Sequence, residues 1–282
     1  RALAIGLVVL HHYVLFVTRE DTFGWLGRIG WIGVDLFFAL SGYLIGNQIF
    51  AALRSEAGFS LGRFYVRRFL RTLPNFYVVL ALYALWPAFR GGLEMPPLWR
   101  FLTFTQNINL SPGTAFSPAW SLNIEEQFYM VLPAVALIFA AVRPPISRAW
   151  LALALVVIGG MAARALIWEE VVEGNRYGMY NYFKYIYYSS LCRLDELVAG
   201  VALAMLRNYH PAAWDRISAR GNAAFAAGCA VTAIAIIIFL RDPRGLAVTV
   251  FGYPLLAVGF GLLVLAAVSR RSVLRTLRVP GA

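Results

Sequence analysis

Eight stretches of this chain are apolar over about the length a helix needs to cross the hydrocarbon of a bilayer, and that feature leaves few folds open. They run roughly over 2–18, 30–53, 72–89, 120–142, 149–168, 189–206, 223–240 and 246–268. In lipid, every backbone N–H and C=O has to be satisfied within the protein, so repeated runs of this kind predict an all-α, polytopic transmembrane helix bundle. The third run is short at its apolar centre and is expected to be extended by the basic stretch before it. Composition agrees: 60% of the 282 residues are hydrophobic and only 14% are charged. No repeat, low-complexity segment or long linker interrupts the pattern, so residues 1–282 read as one membrane-embedded domain.

A net charge of +11 would suit a nucleic-acid partner if it formed a patch. Instead the excess falls in alternate short loops. Arg54, Arg63, Arg67, Arg68 and Arg71 follow the second run, Arg143 and Arg148 the fourth, Arg207, Arg216 and Arg220 the sixth, and Arg270, Arg271, Arg275 and Arg278 the eighth. The other loops carry the acids Glu20, Asp21, Glu94, Glu169, Glu170, Glu173 and Asp242. By the positive-inside rule the even-numbered exits are cytoplasmic, which puts both visible ends in the cytoplasm and argues against nucleic acid. Cys192 and Cys229 have no disulfide or metal-like spacing and read as small packing residues; no metal site is expected. The chain opens on Arg1 and closes on Pro280-Gly281-Ala282, which reads as trimming at both ends.

Against this background the ionisable residues inside apolar runs carry the functional signal, because burying them in lipid is costly. In the first run a step of 11 residues returns to within about 20° of the same helix face and climbs roughly 16 Å, so Arg1 and His12 share a stripe and His11 does not. His12 is then near mid-depth. A packed, hydrogen-bonded histidine remains the competing reading. The second run contains Gly33-Val-Asp-Leu-Phe-Phe-Ala-Leu-Ser-Gly42, where Ser41 and Gly42 suit close helix approach. Asp35 in the same run is either interfacial or bundle-facing.

Arg68 and Arg71, three apart in Phe64-Tyr-Val-Arg-Arg-Phe-Leu-Arg-Thr-Leu-Pro74, share a helix face and suit a phosphate gripped from two sides. A lipid-facing basic cluster is the alternative. After a loop with Thr103, Gln106, Asn107 and Asn109 comes Trp120-Ser-Leu-Asn-Ile-Glu-Glu126. Acids in a first turn and a Ser121–Glu125 cap account for Glu126, whereas Glu125 is free to face the bundle. Tyr177, Tyr180, Tyr182, Tyr185, Tyr187 and Tyr188 read as an interfacial belt, with sugar stacking as the minority reading. Arg193, Asp195 and Glu196 open the sixth run and need partners, for which Arg164 is a counter-charge. His210, before Pro211, reads as solvated.

Taken in order, Arg1-x10-His12, the Gly33–Gly42 segment, Arg67-Arg-Phe-Leu-Arg-Thr-Leu-Pro74, Trp120-Ser-Leu-Asn-Ile-Glu125 and Arg193-Leu-Asp-Glu-Leu197 resemble the acyltransferase 3 family of bacterial integral-membrane acyltransferases. The resemblance covers essentially the whole chain. It implies a bundle of about ten crossings in the full family fold and a place in the bacterial cytoplasmic membrane. It further implies transfer of an acyl group, acetyl by default, from acyl-CoA as co-substrate with no bound cofactor. The implied acceptor is a hydroxyl of a cell-envelope saccharide, a lipid-linked saccharide or a secreted small molecule such as a macrolide. By the same resemblance His12 is the general base, Arg1, Arg68 and Arg71 hold the donor, and Glu125 and Asp195 are the matching acids. A transporter or flippase for an envelope precursor is the alternative class, although the paired broken helices expected of one are not evident.

Overall fold

The computed structural model describes residues 1–275; Arg278 of the closing basic cluster and residues 280–282 lie outside the described residues. The α-helices in chain order are α1 (Ala2–Tyr13), α2 (Trp25–Ile29), α3 (Ile32–Leu53), α4 (Leu61–Leu85), α5 (Leu98–Leu102), α6 (Trp120–Val142), α7 (Ile146–Val171), α8 (Gly178–Asn181), α9 (Asp195–Tyr209), α10 (Pro211–Ser218), α11 (Gly221–Arg241) and α12 (Tyr253–Val268). No strand occurs among the described residues. Each of the eight apolar runs lies largely on a helix, the third running past the end of α4 at Leu85. Five of these, α3, α6 with its leading 3-10 turn, α7, α11 and α12 with the π turn before it, are long and apolar enough to span a membrane. The first run, Ala2–Thr18, is apolar but shorter.

Two of the runs are instructive. The third is one continuous helix with the basic stretch, as expected, and Pro74 sits inside it. The sixth starts later than its apolar pattern, at Asp195, after a 3-10 turn over Ser190–Cys192. The Cys192 carbonyl accepts a 2.6 Å hydrogen bond from Arg164 Nη1, so a side chain on α7 satisfies a group that a longer helix would have used.

The chain divides into two compact units, one of Arg1–Phe50, Trp150–Ile158 and the chain from Leu194 onward, the other of Ala51–Ala149 and Gly159–Arg193. In the first, α12 is the central helix, with Tyr253, Leu256, Phe260 and Val264 buried along it. It packs against α11 where small residues meet: a Cβ on Gly228 would lie 2.9 Å from the Leu263 side chain, and one on Gly259 would lie 2.5 Å from Thr232 Oγ1. α9 crosses α3 closer still. A Cβ on Gly42 would overlap the Leu197 carbonyl, and one on Gly200 would overlap the Ala39 carbonyl and the Tyr43 amide. This is the small-residue crossing that lets van der Waals contact hold membrane helices together. Below it, Asn208 donates to Asn47 at 3.0 Å and Arg207 donates to the Tyr43 hydroxyl.

The second unit has an aromatic core between α4, α5 and the loop before α6, formed by Phe76, Leu80, Phe101, Phe104 and Ala119 with Phe116 packed on them. A separate cluster gathers Tyr182, Ile186 and Cys192 against Ala163, Ile167 and Trp168 of α7. Tyr182, Tyr187 and Tyr188 are therefore packed inward, Tyr185 is half-buried, and Tyr177 and Tyr180 are the exposed members of the expected belt. Cys192 is buried as a packing residue should be; Cys229 is exposed, which corrects that reading for it.

Candidate functional site

In the first unit, α1 is seated on three glycines spaced three apart. A Cβ on Gly33 would lie 2.5 Å from the Ala4 carbonyl, one on Gly30 would overlap the Leu7 carbonyl, and one on Gly27 would lie 2.9 Å from Val14. The stripe of α1 that contains Ala4, Leu7 and His11 therefore faces α2 and the start of α3. His11 completes the seat with Nδ1 at 2.8 Å from the Gly27 carbonyl. A carbonyl only accepts, so Nδ1 carries the proton and the ring is tied down. His12, half-buried on another face, stacks on Phe16 with centroids 5.6 Å apart and planes 7° from parallel. Arg1 is exposed at the start of the helix, its guanidinium 5.9 Å from the Phe37 ring.

Asp35 and Ser41 of α3 are both buried, which decides the bundle-facing reading of Asp35. Asp195 and Glu196 are buried in the first turn of α9, where the helix dipole favours a negative charge.

In the second unit, Arg68 of α4 turns inward. Its guanidinium carbon is 3.7 Å from the centroid of the buried Tyr129 ring, and Nε is 3.6 Å from a Glu126 carboxylate oxygen. Arg71 is exposed, so the two arginines share a spacing and differ in environment. Glu125 and Glu126 are both buried. α6 starts at Trp120 behind a 3-10 turn, so both lie beyond its first turn, and no side chain caps it. That corrects the first-turn reading of Glu126: its charge is answered by Arg68. Arg193 is fully buried near the rings of Trp120 and Tyr187, 5.3 and 4.6 Å from their centroids. Gln127 donates to Asn107 Oδ1 at 2.9 Å, Asn107 donates to Ser190 Oγ at 2.8 Å, and Ser190 donates to Gln127 Oε1, closing a ring of hydrogen bonds.

A family model described as an acyltransferase domain matches residues 1–277, across both units. The chain belongs to the acyltransferase 3 family. Among its relatives is the peptidoglycan O-acetyltransferase OatA of Listeria monocytogenes, 30% identical over 224 residues, covering 73% of this chain and 33% of that one. The provisionally named peptidoglycan O-acetyltransferase YrhL of Bacillus subtilis is 28% identical over 222 residues, covering 73% and 32%. The provisionally named membrane-bound transacylase BcsY of Komagataeibacter xylinus is 34% identical over 159 residues, covering 51% and 37%. The matched region is thus about a third of each of the first two relatives. No solved structure matches the chain.

For an acyltransferase 3 chain, the polar groups that sequence reasoning passed over are informative. In the sequence Glu126 reads only as a helix-start acid and Asn107 only as a loop residue, and Tyr129, Gln127 and Ser190 carry no reading of their own. The available signal was the recurrence of Asn123, Glu126 and Gln127 at steps of three and four on α6. His210, read as solvated, is half-buried and accepts a 3.0 Å hydrogen bond from Trp150 Nε1. Indole nitrogen only donates, so His210 Nε2 is unprotonated there.

Proposed function

We propose that this chain is the membrane domain of an O-acyltransferase that moves an acetyl group from acetyl-CoA to a hydroxyl of a cell-envelope saccharide. The family match over residues 1–277, with peptidoglycan O-acetyltransferases among the relatives, is the observation that carries this reading. In it His12 is the general base and Glu125 orients the base or the acceptor. Arg1, Arg68 and Arg71 hold the donor on the cytoplasmic side of the bacterial cytoplasmic membrane. Asp35, Ser41, Arg193 and Asp195 fix the helices that carry them, and residues 1–282 act as one domain.

The chemistry is an exchange of one acyl bond for another. A neutral His12 imidazole takes the proton of the acceptor hydroxyl as that oxygen attacks the thioester carbonyl. The tetrahedral intermediate collapses, the carbon–sulfur bond breaks, and the imidazolium returns its proton to the departing CoA thiolate. Positioned base catalysis of this kind supplies roughly a hundred- to ten-thousand-fold, and holding donor and acceptor together supplies much of the remainder. His11 suits the role less well, because Nδ1 is committed to Gly27 and the ring is part of the seat of α1.

The test is transfer of label from radiolabelled acetyl-CoA to an envelope saccharide fraction by the full-length protein in membrane vesicles. Label should appear with the native protein and be lost with His12→Ala at equal protein level. Undiminished transfer by that variant would overturn the assignment of the base. Absence of acetyl-CoA binding would overturn the donor and favour transport.

A further inference from the structure

Arg68 and Arg71 form one motif in the sequence and two different devices in the structure. Arg68 is held on two sides. Its planar guanidinium lies 3.7 Å from the centroid of Tyr129, a distance at which the face of the cation rests on the face of the ring. Its Nε edge meets Glu126 at 3.6 Å, and that nitrogen is buried. At that distance Nε makes no hydrogen bond, so Glu126 holds this edge by charge alone, and the remaining donors are the two Nη groups. The side chain keeps 12% of its exposure, so the Nη edge is where solvent or a ligand can meet it. Two parallel N–H donors at a fixed angle are the geometry that matches two oxygens of one phosphoryl group. Arg71 is exposed with nothing comparable around it, and contributes charge without a fixed direction.

We propose that Tyr129 is a positioning residue for phosphate recognition: with Glu126 it holds Arg68 so that its Nη edge is presented to a phosphate of the nucleotide part of the acyl donor, while Arg71 supplies unoriented positive charge. The inference rests on the proposed acyl-CoA donor and adds a division of labour within it. Tyr129 is the better lever for a test than Glu126. Removing the Glu126 charge would loosen Arg68 and also relieve repulsion on a bound phosphate, two effects of opposite sign, whereas a Tyr129 substitution takes away the surface on which Arg68 lies without changing the charge of the site.

The experiment measures binding of acetyl-CoA and of S-acetylpantetheine, which has the thioester but no nucleotide, to the full-length protein in lipid nanodiscs. Tyr129→Phe keeps the ring and should bind both like the native protein. Tyr129→Leu should weaken acetyl-CoA about five- to tenfold and leave S-acetylpantetheine unchanged. Arg68→Lys should lose about tenfold or more for acetyl-CoA, because an ammonium can neither lie flat on the ring nor offer a fork. Arg71→Lys should stay within about twofold.

An equal loss of both ligands in Tyr129→Leu would mean general loosening of the core and would overturn the proposal. Native acetyl-CoA affinity in Tyr129→Leu, with Arg68→Lys still impaired, would overturn it while leaving the donor reading intact. Should Tyr129→Leu fail to fold, the contrast between Arg68→Lys and Arg71→Lys decides, and equal losses there refute the division of labour. No acetyl-CoA binding by the native protein would remove the donor reading, and this inference with it.

Discussion

Gly200→Ala is a one-carbon change whose effect can be worked from the crossing of α3 and α9. In an open helix the substitution stabilises by about 1 kcal/mol through helix propensity. Here the added Cβ would overlap the Ala39 carbonyl and the Tyr43 amide, which are backbone groups of α3 and cannot rotate aside. The helices must separate by about 1 Å, and a gap of that size forfeits a quarter to a half of each contact across it. Leu197, Val201 and Ala204 of α9 are buried at this crossing, against Gly42 and Gly46 of α3. Forcing an extra methyl into a packed crossing costs about 1–3 kcal/mol, and because the new contact meets backbone the upper end applies and exceeds the gain in propensity. Gly261→Ala is the internal control, because its Cβ would meet only the Ala199 Cβ, at 3.9 Å. That is ordinary contact, and the propensity gain survives. The two variants should differ in apparent unfolding temperature by roughly 5–10 °C in detergent, Gly200→Ala below the native protein and Gly261→Ala at or above it. Transfer activity should fall in Gly200→Ala, since α3 carries Asp35 and Ser41 and α9 carries Asp195. Equal stability of the two variants would refute the reasoning, because it would mean that the crossing accommodates a methyl at no cost.

His11→Phe removes the hydrogen bond to Gly27 and should cost about 1 kcal/mol of stability, while acetyl transfer continues; loss of transfer as complete as in His12→Ala would instead make His11 part of the chemistry. Burial pushes the Tyr188 hydroxyl up to about 12, against 10.0 for an ordinary tyrosine. Between those values the unfolded chain has released a proton that the folded chain retains, so stability is intact below pH 10 and falls as pH rises toward 12, by about 2–3 kcal/mol from this group. Chemical denaturation of the native protein and Tyr188→Phe across that range should show a steeper decline in the native protein, and parallel declines would refute the assignment.

The sequence carried the helices more plainly than it carried their faces, and the reason is physical. On a soluble helix the apolar stripe marks the side that packs, but a helix that is apolar all round meets lipid and neighbour with the same side chains. The run over 120–142 therefore identified α6 and its length, yet gave Glu126 to helix-start chemistry and only Glu125 to the bundle, whereas both are buried. What separates them is a partner, Arg68, from a helix that the sequence alone does not bring alongside. The same holds for His210, whose partner Trp150 lies 60 residues earlier, and for the late start of α9, which depends on Arg164 reaching the Cys192 carbonyl. Small and polar residues do retain facial information in such helices, because close approach and hydrogen bonding are what lipid cannot supply. Gly27, Gly30 and Gly33 at steps of three mark the seat of α1, and Asn123, Glu126 and Gln127 mark the packed side of α6. In a chain of this class the useful periodicity is thus that of the glycines and the amides: it puts Glu126 on the packed side of α6 and leaves the identity of its partner, Arg68, to the structure.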